Sequence, residues 1–302
     1  MFSDIKSAVV GSINMDIILR AKNLPAVGEN VVGTDYSYAF GGKGANQAIA
    51  LATLGAKVKM IGKVADDTNG NSLVSNLQNN SIDISGISCT GSQTGLAAIL
   101  LDGQGRNRII VYEGANAEIN PVEAVSHIDE SLDLLLVQFE TTEEVVLHTV
   151  SHAIRKNIMT VVDCGPAKEF CLEKMQGITI ISPNESETFA LTGLYPENKE
   201  NILAASKILM DRSIAKYVVI KLGENGCSVY DGAQLTLLPA YPSKVRDTTA
   251  AGDCFTAAMA LSFARDNDIL KACDTGNKAG SIAVSRLGAQ NSMPTLNELL
   301  SM

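Results

Sequence analysis

The sequence predicts an α/β fold: a doubly wound, mostly parallel sheet with helices on both faces and a small β-sheet lid. Three observations point there. Strand-like apolar runs alternate with helix-period segments: strand at 57–61, helix near 70–79, strand at 134–138, helix near 143–155, strands at 158–162 and 178–181. The stretches that break this rhythm, at about 13–40 and 95–113, are themselves strand-like and read as insertions that build a lid. No internal repeat, low-complexity run or Pro/Ser-rich linker divides the 302 residues, so one domain carrying a lid is expected.

Composition narrows the function classes. The chain is 46% apolar and 19% charged with no tryptophan, which is ordinary for a globular α/β protein. A formal net charge of −9 argues against nucleic acid or an anionic membrane surface as partner. Any phosphate must then be held by local donors. Six cysteines (89, 164, 171, 227, 254, 273) show neither C-x-x-C nor zinc spacing, and such scattered thiols fit a reducing cytosol. Met1-Phe-Ser-Asp-Ile-Lys6 lacks a basic segment followed by an apolar one, and no apolar run approaches a membrane span, so a cytoplasmic protein is expected.

Taken in order, Ser7–Ser12 reads as a buried strand ending in small residues. In 13–20, Ile13, Met15, Ile17 and Leu19 alternate with Asn14, Asp16, Ile18 and Arg20, so period two puts Asn14 and Asp16 on one strand face. An amide beside a carboxylate can grip vicinal hydroxyls; a solvent-facing strand edge would look the same. After a turn at Pro25 and Gly28, a strand at 31–40 runs into Gly41-Gly-Lys-Gly-Ala-Asn-Gln-Ala48 and a helix capped near Gly55. This glycine loop follows neither the P-loop nor the dinucleotide pattern; its distinguishing feature is the polar pair Lys43 and Asn46. Gly95–Leu101 and Arg108–Tyr112 flank Asp102-Gly-Gln-Gly-Arg-Asn107 as a hairpin of the lid.

Three strand ends carry polar residues or glycines. Glu140 follows the core strand at 134–138, where open α/β sheets bind ligands. Asn184 and Glu187, at N-x-x-E spacing, open a helix after another strand, and an ordinary capping box has the same spacing. Lys221, Gly223 and Gly226 end a third strand, as a nucleotide loop or as a hairpin turn.

The most informative stretch is Asp247-Thr-Thr-Ala-Ala-Gly-Asp253. Small residues at 250–252 lead into a helix marked by Phe255 and Met259, four apart. Free N–H groups and the positive helix end there suit an anion. A carboxylate beside bound phosphate is better explained as a proton acceptor for an attacking hydroxyl. An acidic first turn on an unremarkable helix is the plain alternative.

Together, Gly11-Ser-Ile-Asn-x-Asp16, Gly41-Gly-Lys-Gly-Ala-Asn-Gln47, Pro183-Asn-Glu-Ser-Glu187, Asp247-Thr-x-Ala-Ala-Gly-Asp253, Asn277 and Arg286-x-Gly-Ala-Gln290 resemble the PfkB family of carbohydrate kinases, on its ribokinase-like side, over nearly the whole chain. The resemblance implies an ATP-dependent sugar kinase. Asp253 is then the general base and Ala250, Ala251 and Gly252 supply the backbone anion hole. At a helix N-terminus Asp253 is expected to be ionised and a weak base. Asn14, Asp16, Gly42, Lys43, Asn46 and Glu140 match sugar contacts. Asn184 and Glu187 match a motif that organises Mg2+ and phosphates through water, and Lys221, Gly223, Gly226, Gly252 and Asn277 line the ATP site. A monovalent-cation (K+) site maps to Asp247, Thr249, Ala283, Arg286, Gly288 and Ser292. Lid-to-lid pairing in a homodimer is implied as well.

The chain departs from the family pattern in places. Lys221 stands where relatives often carry threonine, Asp163-Cys-Gly-Pro166 replaces Asn-Pro-Ala-Pro, and Asn291 replaces a proline. The polar Asn14 favours ribose over 2-deoxyribose, because a site built to bond a hydroxyl rejects the analogue without it. The alternatives are a kinase of the same fold for another sugar or a nucleoside, and a non-catalytic sugar-binding regulator.

Overall fold

The computed structural model describes residues 1–302. Strand β1 (Lys6–Val10) leads into β2 (Asn14–Ala21), β3 (Gly33–Gly41), α1 (Lys43–Thr53), β4 (Lys57–Ala65), α2 (Thr68–Asn79) and β5 (Asp83–Thr90). The hairpin β6 (Gly95–Leu101) and β7 (Asn107–Tyr112) precedes α3 (Pro121–Ser126), β8 (Leu134–Gln138), α4 (Glu143–Arg155), β9 (Met159–Asp163) and β10 (Ile180–Ser182). There follow α5 (Glu185–Thr192), α6 (Lys199–Ser213), β11 (Tyr217–Lys221), β12 (Cys227–Tyr230), β13 (Leu235–Leu238), α7 (Ala251–Asp266), α8 (Ile269–Val284) and α9 (Leu296–Leu300).

Nine strands form the main sheet in the order β13-β12-β11-β10-β9-β8-β1-β4-β5. Pairing is parallel from β11 to β5, and only β12 and β13 run antiparallel at one edge. Alternate residues of the same strand enter different cores. Val9, Leu134, Leu136, Val161 and Val219 pack with α1, α7 and α8, whereas Val10, Leu135, Val137, Val162 and Val218 pack with α4 and α6. Burial on both faces is why these strands read as continuous apolar runs. The 220–226 stretch is a hairpin turn between antiparallel β11 and β12, so the plainer of its two readings describes its backbone.

Four strands form the lid, in the order β3-β2-β6-β7. β2 joins them through an antiparallel partner on one side and parallel β6 on the other. The predicted strand at 57–61 continues to Ala65, and β5 went unforeseen. Its sequence, DISGISCT, alternates weakly because it is an edge strand that is only partly buried.

This topology sends the C-terminal ends of β1, β8, β9, β10 and β11 to one edge of the sheet. At β1 the strand order reverses direction, since β4 lies on one side and β8 on the other. Ligands of open α/β sheets bind at such a point.

Candidate active site

Helix α7 starts abruptly. Its N-cap, Ala250, is left-handed with φ of 56° and offers no side-chain cap. Consequently the N–H groups of Ala250, Gly252 and Asp253 have no protein partner, while that of Ala251 closes a turn onto Thr248 O at 3.3 Å. Uncapped N–H groups at a helix start form a ready anion cradle.

Asp253 sits in this first turn and is only 3% exposed. The first turn of α1 surrounds its carboxylate: Asn46 Nδ2 donates to Oδ2 at 3.0 Å, Gln47 Nε2 donates to Oδ1 at 3.3 Å, and Lys43 Nζ lies 3.7 Å from Oδ1. Burial pushes Asp253 above the usual carboxylate range, against the pull of Lys43 and with Asp163 adding to it. The helix N-terminus by itself favours an ionised, weak base, and burial acts against it. Desolvation disfavours the charged form and so raises the proton affinity of this carboxylate.

The bland reading of Asn14 and Asp16 as a solvent-facing edge fails, because they are 2% and 9% exposed. Asn116 fixes Asn14 by donating from Nδ2 to Asn14 Oδ1 at 2.7 Å, while Asn116 Oδ1 accepts from Ile13 N at 2.9 Å. The Asn14 amide nitrogen is left to donate elsewhere. Asp16 receives no hydrogen bond from the protein. Its carboxylate fits only because Gly41 lacks a side chain, since a Cβ there would come within 2.5 Å of both carboxylate oxygens. Burial, with Glu140 and Asp253 adding repulsion, pushes its pKa up to about 7. A buried carboxylate without donors is built for a ligand that brings them.

Gly42 holds φ at 88°, and a Cβ would strike Ser12 O at 2.7 Å, so glycine is required where α1 meets the end of β1. Glu140 accepts from Lys43 N at 2.9 Å and from the Ser12 hydroxyl, fastening that helix start across the β1–β8 crevice. Burial works against the Lys43 ammonium, yet the carboxylates of Asp253, Asp163, Glu187 and Glu140 outweigh it and hold its pKa above the ordinary lysine value.

On the opposite flank, Asn184 and Glu187 form a full capping box on α5: Asn184 Oδ1 accepts from Glu187 N at 2.9 Å, and Glu187 Oε2 accepts from Asn184 N at 2.7 Å. Burial pushes Glu187 above the usual carboxylate range while Lys221 and Lys43 oppose it. No three carboxylate, imidazole or thiolate groups converge to hold a metal by themselves. One carboxylate next to a phosphate cradle fits Mg2+, which is held mostly by substrate phosphates and water.

Lys221 neither points outward nor stands alone. It is 8% exposed and donates to Asp163 Oδ2 at 2.7 Å. Gly226, with φ of 88°, lets the β11–β12 turn close against Leu238 and Pro239, and Gly223 begins that turn. Asn277 on α8 donates to Pro239 O at 3.1 Å and so ties α8 to the same turn.

The residues assigned to a monovalent cation come together as two adjoining loops. Asp247 accepts from Thr249 N and Gly288 N, each at 2.9 Å, joining 247–249 to 286–292. Ala283 O accepts from Arg286 N at 3.1 Å, and Ser292 N donates to Ala289 O at 3.1 Å. The Arg286 guanidinium is spent on Glu298, leaving only its backbone for the loop. A further thread reaches Asp253 through Asn46: Asn76 Nδ2 donates to Gln290 Oε1 at 2.7 Å, and Gln290 Nε2 donates to Asn46 Oδ1 at 3.3 Å.

Sequence reasoning assigned no role to Ser12, Gln47, Asn116, Asp163 or Gln290. Ser12, Gln47 and Gln290 lay inside quoted motifs and Asp163 in a stretch noted as a departure from the family pattern, but Asn116 carried no local signal. A cleft of about 700 Å3, lined by Met15, Ile17, Tyr38 and Phe40 among others, lies on the other face of the lid from Asn14 and Asp16.

The family model "pfkB family carbohydrate kinase" matches residues 4–296. Bacillus subtilis (strain 168) ribokinase is 35% identical over 297 residues, covering 96% of this chain and 97% of that protein. Salmonella typhi deoxyribokinase is 30% identical over 305 residues, covering 98% of each. The Arabidopsis thaliana ribokinase structure with ribose and ATP superposes with a TM-score of 0.89 at 28% identity, covering 100% of this chain and 98% of that one. The chain belongs to the pfkB family of carbohydrate kinases.

Proposed function

We propose that this kinase transfers the γ-phosphoryl group of ATP to the 5-hydroxyl of D-ribose. The observation that carries the reading is a buried base, Asp253, at an uncapped helix start, facing a lid strand whose Asn14 amide and unpartnered Asp16 carboxylate suit vicinal hydroxyls. Asn14, Asp16, Gly42, Lys43, Asn46 and Glu140 frame the sugar. Asp253 accepts the 5-hydroxyl proton as the sugar oxygen bonds to the γ-phosphorus. The bond from that phosphorus to the β,γ-bridging oxygen breaks, and its electron pair leaves on ADP. The N–H groups of 250–253 hold the migrating group's charge. Asn184, Lys221, Gly223, Gly226, Gly252 and Asn277 line the nucleotide site. Glu187 would help to hold Mg2+, which would neutralise phosphate charge, and Asp247, Thr249, Ala283, Arg286, Gly288 and Ser292 would hold K+ and so order the loop that ends in the cradle.

Residues 1–302 act as one catalytic domain with a lid. The lid face carrying Ile17, Leu19, Tyr36, Tyr38, Ile110 and Tyr112 is apolar, and Tyr36, Tyr38 and Ile110 are 64%, 61% and 68% exposed. Such a face supports a homodimer clasped through the lids. No helix is long and apolar enough to cross a membrane, and the free thiols fit a cytoplasmic enzyme.

The test is ADP release from ATP and Mg2+ with ribose, 2-deoxyribose, fructose or adenosine, each with and without K+. Fast turnover on ribose, raised by K+, is expected. Turnover confined to another acceptor overturns the substrate, and none with any of them favours the regulator reading. Sedimentation of wild type and Ile110→Glu tests the dimer: a wild-type monomer at micromolar concentration would end that part.

A further inference from the structure

Two residues at which the chain departs from the family pattern, Asp163 at the end of β9 and Lys221 at the end of β11, meet beside the phosphate cradle. Asp163 is fully buried, and its Oδ2 accepts from Lys221 Nζ at 2.7 Å and from Thr256 Oγ1 at 2.9 Å. Its Oδ1 accepts from Gly165 N at 3.1 Å and lies 4.0 Å from Lys43 Nζ. Lys43 in turn reaches Asp253, so the charges alternate: Lys221, Asp163, Lys43, Asp253. Two of the three Lys221 N–H groups have acceptors, Asp163 and, at 3.5 Å, Thr256 Oγ1. The third has none. A Cβ built on Gly252 would stand 3.9 Å from Lys221 Nζ, so the ammonium borders the backbone that offers the free N–H groups.

A buried ion pair is poor evidence of added stability, because desolvation offsets most of its attraction. Burying Lys221 for packing alone would be served as well by an apolar side chain. A cation with an unused donor beside an anion cradle has a use when phosphate arrives.

We propose that Lys221 is a catalytic cation for the transferring phosphoryl group and that Asp163 is the positioning residue that aims it. The γ-phosphoryl then meets two ammonium groups, Lys43 from the sugar side and Lys221 from the nucleotide side, along with the N–H groups of α7. Asp163 lies between the two lysines and offsets their mutual repulsion until the phosphates enter. This deepens the kinase reading above and rests on its ATP site, though not on the identity of the sugar.

Two measurements test it. The first needs no acceptor: calorimetric binding of the β,γ-imido analogue of ATP and of ADP, both with Mg2+, to wild type and Lys221→Met. A loss of about tenfold for the triphosphate with ADP within twofold is expected. Equal losses, no loss, or a wild type that binds neither nucleotide overturns the proposal. The second is turnover on the best acceptor, where Lys221→Met should lose about 100-fold in kcat with little change in sugar KM, the scale of one lost transition-state donor. Asp163→Asn strands a buried ammonium and risks misfolding, so the double variant Asp163→Asn/Lys221→Met decides. A purely structural pair predicts that removing both charges restores wild-type kcat, and that result would sink the proposal. A folded double variant as slow as Lys221→Met supports it. If only a sugar other than ribose turns over, the substrate reading fails while both measurements keep their meaning.

Discussion

The two halves of the site solve the problem of buried charge in opposite ways. On the phosphoryl side, carboxylates and ammoniums alternate. Asp163 is caught between Lys221 and Lys43, which overcome its burial and hold it down at about 2. On the sugar side, Asp16 has no cation and no donor, and burial leaves it at about 7. One half is internally compensated before any substrate arrives; the other is left unsatisfied for a ligand to complete. The contrast teaches that a polar residue's role depends on what remains free after the protein has used it. Asn14 shows this within one side chain, since Asn116 occupies its oxygen and leaves the nitrogen.

The largest expected effect comes from removing the base. Asp253→Asn should lower kcat by roughly 10³-fold, with the protein still folded and still binding sugar; turnover within tenfold of wild type would deny Asp253 its role. Next is discrimination on the unsatisfied side. Asn14→Met should shift the ratio of kcat/KM for ribose over 2-deoxyribose by on the order of 100-fold toward the deoxy sugar. An unchanged ratio would mean that Asn14 does not read the 2-hydroxyl.

A smaller effect sharpens the contrast through pH. Because the Asp16 pKa rises from 3.8 to about 7 on folding, the native state binds the proton more tightly than the unfolded chain does. Its contribution to stability is therefore fullest below about 4 and declines as pH rises through about 7. Sugar binding should move the other way, strengthening as the carboxylate ionises to accept hydroxyl donors. Asp16→Asn should flatten both profiles near pH 7, measured by thermal melts and sugar titration. Parallel profiles in wild type and variant would remove Asp16 from the account. Smallest is Gln290→Ala, which breaks the thread from the 286–292 loop to Asn46. A kcat loss of about threefold and a weaker response to K+ are expected, on the scale of one lost hydrogen bond of ~0.7 kcal/mol. An unaltered K+ response would show that the loop acts by another route.

Much of the site was legible because its parts are local. The glycine loop at 41–44, the Ala-Ala-Gly-Asp start of α7 and the Asn14/Asp16 alternation are each set by neighbours in the chain, where backbone conformation and period decide which groups point together. The parallel sheet was legible for a similar reason: strands buried on both faces cannot hide their apolar composition. What escaped was long-range. Asn116 meets Asn14 across 102 residues, and Lys221 meets Asp163 across 58. Alone, Asp163 reads as a strand-end acid and Lys221 as part of a nucleotide loop or a hairpin turn, with nothing in either to point to the other.

The sequence by itself determined most of the main sheet, the lid strands and the close-approach loops. These follow from φ/ψ preference, side-chain period and helix-end polarity, which act over a few residues. Only the tertiary structure decided how charged each group is and what it has left to offer. Burial raises Asp253 and Asp16, Lys221 and Lys43 hold down Asp163, and a partner amide consumes half of Asn14. Desolvation and Coulomb interactions depend on distance through space, and that distance exists only once β1, β8, β9 and β11 lie side by side.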